Sequence, residues 1–202
     1  MSVTTPSELR ARNLRTLAAL AALFLLPLAI AFFTYYGTAW RPGTHLNHGM
    51  LITPPRPLPQ TPLARLVPQS ATNAPPLFRG KWSLVYVGNG ACDSDCRAAL
   101  YLMRQTRLSL NTDMGRVARV FLVSAECCDR PFLEAEHAGL DVRDASGTQG
   151  RELLAAFPPG GRAHTVFIVD PLGNLMMSYD ARQDPHGLLE DLKKLLRLSH
   201  IG

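Results

Sequence analysis

Residues 82–96 read Trp82-Ser83-Leu84-Val85-Tyr86-Val87-Gly88-Asn89-Gly90-Ala91-Cys92-Asp93-Ser94-Asp95-Cys96. The first six are apolar, rich in β-branched and aromatic types and hardly alternating, which predicts a central strand buried on both faces. Gly88 and Gly90 then let the backbone turn sharply. The two cysteines follow four residues apart, where a helix is expected to begin. If that turn is already helical, both sulfurs share one face with Cβ atoms roughly 5–6 Å apart. Such a pair can close a disulfide after slight adjustment or place two thiolates on one soft ion such as Cu(I). A helix N-terminus also favours the thiolate. Strand, glycine turn, paired cysteines and helix together describe a reactive site held on a rigid element, at an exposed loop from which an ion could be passed on.

Downstream, the pattern alternates strand and helix. Arg97 to Leu110 is expected as a helix, with Ala99, Leu102, Met103, Thr106 and Leu110 on one side. Val117 to Ser124 is a second strand. Asp129 and Pro131 supply a cap and a first-turn proline for a short helix to about Ala138. Thr148 to Phe157 is another short helix, stopped by Pro158-Pro159-Gly160-Gly161. Thr165 to Asp170 is a strand, and Pro171-Leu172-Gly173-Asn174 folds it back into Leu175 to Tyr179 as a hairpin. Asp184-Pro185 opens a final amphipathic helix whose buried stripe is Leu188, Leu189, Leu192, Leu195 and Leu196.

Upstream, the composition changes twice. Leu17 to Tyr36 is twenty residues without a charge, the length needed to cross a bilayer. Arg10, Arg12 and Arg15 precede it closely and only Arg41 follows closely, so the positive-inside rule leaves the N-terminus in the cytoplasm. The rival reading is a cleaved signal peptide, because Gly37-Thr38-Ala39 is a small-x-small site; the apolar run is long for that, and a retained anchor is preferred. Nine of the sixteen prolines fall within residues 42–77, which predicts an extended spacer, with His45, His48 and Met50 in it as a loose group of metal-ligand types.

The expected layout is therefore a cytoplasmic tail (1–16), an anchor (17–36), a proline-rich periplasmic linker (37–77) and a folded domain (78–202). In a bacterium this is a single-pass inner-membrane protein with its domain in the periplasm. The formal charge of +5 resides in the N-terminal segments, for residues 78–202 hold fifteen basic and fifteen acidic side chains. A nucleic-acid binder would concentrate that charge on its domain, and this class is excluded. Outside the cytoplasm, cysteines meet an oxidising compartment. A zinc site of the usual kind would need a second, properly spaced Cys/His pair, which residues 78–202 do not offer.

The order strand–helix–strand, hairpin, helix is that of an α/β, thioredoxin-like domain. In such a sheet the cysteine strand is central, with Val117–Ser124 parallel on one side and Thr165–Asp170 antiparallel on the other. The carboxyl end of the first neighbour, Cys127-Cys128, and the amino end of the second, His164, would then share the edge that carries Cys92.

The stretch Phe78-Arg79-Gly80-Lys81-Trp82 to Gly88, the C-x-x-x-C of Cys92 and Cys96, and Ile168-Val169-Asp170-Pro171-Leu172-Gly173 resemble the Sco/SenC family of copper chaperones for cytochrome c oxidase assembly. The resemblance covers roughly residues 78–198, and a single N-terminal anchor also fits that family. It implies Cu(I) bound by Cys92 and Cys96 with a distal histidine. It also implies a dithiol/disulfide role for the same pair, and an oxidase subunit or another copper or redox protein as partner. The chain departs from the family in three places. Asp93 stands where the family commonly has proline. An ungapped match puts Arg162 at the histidine position, with His164, the candidate third ligand, displaced by two residues. The stretch from Cys128 to His164 is short.

Besides copper delivery, two readings stand: a thiol–disulfide oxidoreductase in which Cys92 attacks and Cys96 resolves, and an assembly factor without metal. Cys127 and Cys128 are candidates for a disulfide relay to the motif pair.

Overall fold

The computed structural model describes residues 6–37, 47–68, 76–160, 162–183, 185–199 and 201. They fall into two compact units, Met1–His45 and Leu46–Gly202. In the first, α1 (Pro6–Gly37) contains one segment, Arg12–Gly37, long and apolar enough to cross a membrane. Its leucines and aromatics are exposed, from Leu14 to Tyr36. A helix apolar on all sides has no reason to stay in water and a good one to enter lipid. Pro27 lies inside it, as membrane helices tolerate.

The second unit is a six-stranded mixed sheet covered by helices on both faces. The elements run β1 (Met50–Pro57), β2 (Trp82–Gly88), α2 (Ser94–Leu108), β3 (Val117–Val123), α3 (Arg130–Glu136) and β4 (Asp141–Asp144). They continue with α4 (Thr148–Ala155), β5 (Thr165–Val169), β6 (Asn174–Asp180) and α5 (Pro185–Leu198). The strand order is β1-β6-β5-β2-β3-β4. The cysteine strand is central as expected: β2 lies parallel to β3, with Val85 opposite Val120, and antiparallel to β5, with Val85 opposite Phe167. Every residue of β2 except Gly88 is buried.

Alternate residues of these strands feed two cores. Leu84, Tyr86, Phe121, Val166 and Ile168 pack with Met103 of α2, Leu133 of α3 and Leu188, Leu192 and Leu196 of α5. Val85, Val87, Val120, Leu122, Phe167 and Val169 pack on the other face with Leu153 and Phe157 from the α4 region. Of the stripe expected on α5, Leu188, Leu192 and Leu196 are fully buried, while Leu189 and Leu195 pack at its margin.

The structure corrects the reading of residues 37–77 as a spacer, as far as they are described. β1 pairs antiparallel with β6, Met50 opposite Ser178 and Pro57 opposite Asn174. An edge strand needs ladder donors on one side only, so Pro54, Pro55 and Pro57 can be accommodated. Leu58 N then bonds Gly173 O at 2.9 Å, Leu66 N bonds Val142 O at 3.0 Å, and Asp144 N bonds Ala64 O at 2.9 Å. The chain between them runs from the β5–β6 turn to the β4 edge, burying Leu58, Leu63 and Val67. The folded unit thus starts well before residue 78.

His48 is also part of it. The backbone N–H groups of His48 and Gly49 both donate to Asp191 Oδ2, at 2.7 and 2.8 Å, and His48 Nε2 lies 3.0 Å from Glu190 Oε2. His45 lies outside the described residues.

Candidate redox and metal site

The end of β2 is closed by its neighbours before the cysteines begin. Tyr86 fills the space beside Gly88, where a Cβ would fall 2.7 Å from the ring, and its hydroxyl donates to Ala163 O at 2.7 Å. Burial pushes that hydroxyl's pKa far up, with Asp93 and Asp95 adding to it. The Gly88 carbonyl accepts from both the N–H (2.9 Å) and the hydroxyl (3.1 Å) of Ser124. Asn89 Oδ1 accepts from Ala91 N at 3.0 Å, and Cys92 N donates to Asn89 O at 3.2 Å. The chain then passes through Cys92 with φ of 50°, in the left-handed region that few residues other than glycine adopt.

Cys92 and Cys96 form a disulfide with their Cα atoms 5.0 Å apart, inside the range such bridges require. Asp93 is the N-cap of α2, its carboxylate accepting from Cys96 N at 3.0 Å. The departure from proline at this position is thereby explained in part: the aspartate satisfies an otherwise unpaired amide of the first turn. Arg97 ties the loop to the next element. Its Nε donates to Cys92 O (3.2 Å), its Nη2 pairs with Asp129 Oδ2 (2.7 Å), and its guanidinium lies 4.0 Å over the Phe132 ring. Asp129 in turn caps α3, accepting from Phe132 N.

The pair is not exposed. Cys92 is 2% and Cys96 1% accessible, against the expectation of an open loop. Cys96 lies on the same helical stripe as Ala99, Leu100 and Met103 and faces the core with them. Both sulfurs are then covered in the disulfide state.

Cys127 and Cys128 form a second disulfide, so all four cysteines are paired. This one sits on the turn after β3, with Cys127 exposed and Cys128 half-buried. Its turn and the motif loop touch. A Cβ on Gly90 would fall 2.8 Å from Cys127 Cα and against the Glu126 carbonyl. Asp129 N bonds Gly90 O at 3.2 Å. Cys128 packs on the apolar cluster that holds Cys92 and Cys96.

His164 ends a 3-10 turn, Arg162–His164, that packs against α2. Its carbonyl accepts from Ala181 N at 2.7 Å, and its ring is half-buried in the field of Asp180. Asp180 is held down to about 2, first by its bonds to Arg182, with His164 contributing. Among the described residues no three His, Cys, Asp or Glu side chains are gathered closely enough to hold a metal ion. The histidine is on the turn that faces α2 but is not drawn in with the bonded sulfurs. Arg162, at the other candidate position, caps the end of the α4 region through Leu154 O, Phe157 O and Pro158 O at 2.6–2.9 Å.

Tyr86, Arg97 and Asp129 were not singled out from the sequence for this site. Asp93 enters the sequence reading only as the residue at the family's proline position, although an aspartate three residues before Cys96, at a helix start, carries the capping signal.

The sequence profile of a family described as transmembrane-like, thioredoxin-like, C-terminal domain matches residues 82–199. A comparison with curated proteins gives no match. Among solved structures, apo Sco1 from Thermus thermophilus is similar at 20% identity and a TM-score of 0.55, over 76% of this chain and 99% of that one. Yeast Sco1 with copper bound is similar at 13% identity and 0.53, over 60% and 82%. Arabidopsis thaliana ScoI with copper bound is similar at 16% identity and 0.51, over 60% and 88%. At such identities the likeness is one of fold, and the fold is that of the Sco structures. With its profile match spanning more than half its length, the chain belongs to the family of transmembrane-like, thioredoxin-like C-terminal domains.

Proposed function

We propose that this chain is a membrane-anchored carrier of Cu(I) that serves cytochrome c oxidase assembly, with Cys92 and Cys96 as the copper-holding thiolates. The observation that carries the reading is their placement at the start of α2 with Cα atoms 5.0 Å apart. Two electrons open the disulfide to two thiolates, and that donor set suits a soft monovalent ion. The copper-bound Sco structures from yeast and Arabidopsis lend support through the shared fold. His164 is the candidate third ligand, on a turn packed against α2. Residues 1–16 lie in the cytoplasm in this reading, residues 17–36 span the bacterial inner membrane, and the folded unit works in the periplasm on an oxidase subunit or another copper or redox protein.

The reduced full-length chain in detergent should take up about one Cu(I), as a two-thiolate site implies. Competition against a chromophoric Cu(I) chelator measures this. Cys92→Ser or Cys96→Ser should abolish tight uptake, and His164→Ala should weaken it less. Wild-type uptake by Cys92→Ser/Cys96→Ser would overturn the site.

A second reading, thiol–disulfide oxidoreductase with Cys92 attacking and Cys96 resolving, is favoured by one observation: a second disulfide shares the same edge. Reduction of a disulfide substrate by the copper-free dithiol distinguishes the two readings.

A further inference from the structure

We propose that Cys127–Cys128 is the port through which reducing equivalents enter the protein, and that it hands them to the buried Cys92–Cys96 disulfide. The inference rests on Cys92 and Cys96 being the functional pair, and concerns how that pair is returned to the dithiol state in an oxidising compartment.

Accessibility is the first ground. Thiol–disulfide exchange requires a thiolate to reach a sulfur directly. Cys92 and Cys96 are 2% and 1% accessible, so a bulky protein dithiol cannot present its sulfur to them without disturbing the core face of α2. Cys127 is exposed on the neighbouring turn.

Adjacency is the second. Ser124 N and Oγ bond Gly88 O, Asp129 N bonds Gly90 O, and Arg97 spans from Cys92 O to Asp129. The two loops therefore form one hydrogen-bonded junction, not two segments that meet by chance. At Gly90 only a residue without Cβ leaves room for the Glu126–Cys127 backbone. Cys128, one residue further, is turned inward onto the cluster that contains the motif sulfurs. One member of the second pair faces solvent and the other faces the core, which is the arrangement a two-sided relay needs.

The step balances as follows. An external protein dithiol of the thioredoxin type reduces Cys127–Cys128 and leaves as its own disulfide, delivering two electrons. The Cys128 thiolate then attacks Cys92 Sγ. A Cys92–Cys128 bond forms, the Cys92–Cys96 bond breaks, and the electron pair leaves on Cys96 Sγ. The Cys127 thiolate next attacks Cys128 Sγ, restoring Cys127–Cys128 and releasing Cys92 as a thiolate. The net result is one dithiol oxidised outside and one disulfide reduced inside.

Stopped-flow oxidation of a reduced thioredoxin by the full-length, oxidised chain in detergent tests this. The Cys127→Ser/Cys128→Ser variant should reduce its Cys92–Cys96 bond at least tenfold more slowly than wild type. A small phosphine that needs no protein docking should open that bond in both. Cys92→Ser/Cys96→Ser should oxidise one equivalent of thioredoxin where wild type oxidises two. Cys127→Ser, whose Cys128 thiolate can attack the intact Cys92–Cys96 bond but has no Cys127 to resolve the product, should show a Cys92–Cys128 cross-link with Cys96 free in acid-quenched peptide maps. An unchanged rate without Cys127 and Cys128, or no such cross-link, overturns the relay. The phosphine-reduced Cys127→Ser/Cys128→Ser variant should bind Cu(I) like wild type, so loss of the relay and loss of the copper reading give different results.

Discussion

Asp93 acts on Cys96 in two opposed ways. Its carboxylate takes the Cys96 amide and so starts α2 correctly, yet it puts a negative charge where a thiolate must form. Asparagine keeps the acceptor and removes the charge. Asp93→Asn should therefore let the reduced pair react with iodoacetamide at lower pH while the melting temperature barely moves. Asp93→Ala loses the cap and should cost about 1 kcal/mol. Equal alkylation profiles for wild type and Asp93→Asn would show that the charge has no hold on the thiols. The cysteine pair was legible from the sequence because its spacing is local. Its burial was not, since that depends on a positive φ at Cys92 and on Cys96 sharing a stripe with Ala99 and Met103, which only the assembled core decides.

At the level of elements, the strands inside the sheet announced themselves and the edges did not. β2, β3 and β5 are nearly all apolar because both faces are covered. β4 buries only Val142 of Asp141-Val142-Arg143-Asp144, too little to mark a strand by pattern. β1 is hidden by its prolines, which read as a spacer until a partner strand is known to lie on one side only. The boundary is open to test. A chain begun at residue 78 lacks β1 and the buried Leu58, Leu63 and Val67. Each such leucine or valine contributes roughly 1.5–3 kcal/mol when buried, so their joint loss rivals the ~5–15 kcal/mol that holds a whole domain together. Expressed from residue 47 the unit should melt cooperatively; from residue 78 it should be insoluble or lack a transition in calorimetry. Equal melting of the two would return residues 47–67 to the role of spacer.

For the molecule as a whole, stability should depend on pH through a residue remote from the cysteines in role. His137 is 3% accessible and its pKa is pushed down to about 4. Burial is the main cause, followed by the Arg119 and Arg104 guanidinium groups; Arg97 adds to the shift and Glu136 opposes it. The imidazole is neutral when folded, whereas an unfolded chain binds a proton near pH 6.5. The unfolded state thus holds more protons between those values, and stability falls as pH drops from about 6.5 towards 4. The full effect is roughly 3 kcal/mol at 1.4 kcal/mol per pKa unit. Urea midpoints at pH 7 and 4.5 should differ accordingly, and His137→Phe should remove that part of the difference. An undiminished slope in the variant would place the acid sensitivity elsewhere.

The two amides hooked on Asp191 have a mechanical consequence. In a chain tethered through α1, the first fastening that a pull meets among the described residues of the folded unit is that of His48 and Gly49 on the Asp191 carboxylate. Hydrogen bonds to an ionised acceptor are the stronger kind. Asp191 belongs to α5, whose leucines are seated in the core, so the load passes into a helix and not into the first rungs of the β1–β6 ladder. Without that fastening a pull would unzip the edge strand one pair at a time from Met50. The carboxylate acts as a strain relief where the cable enters the housing.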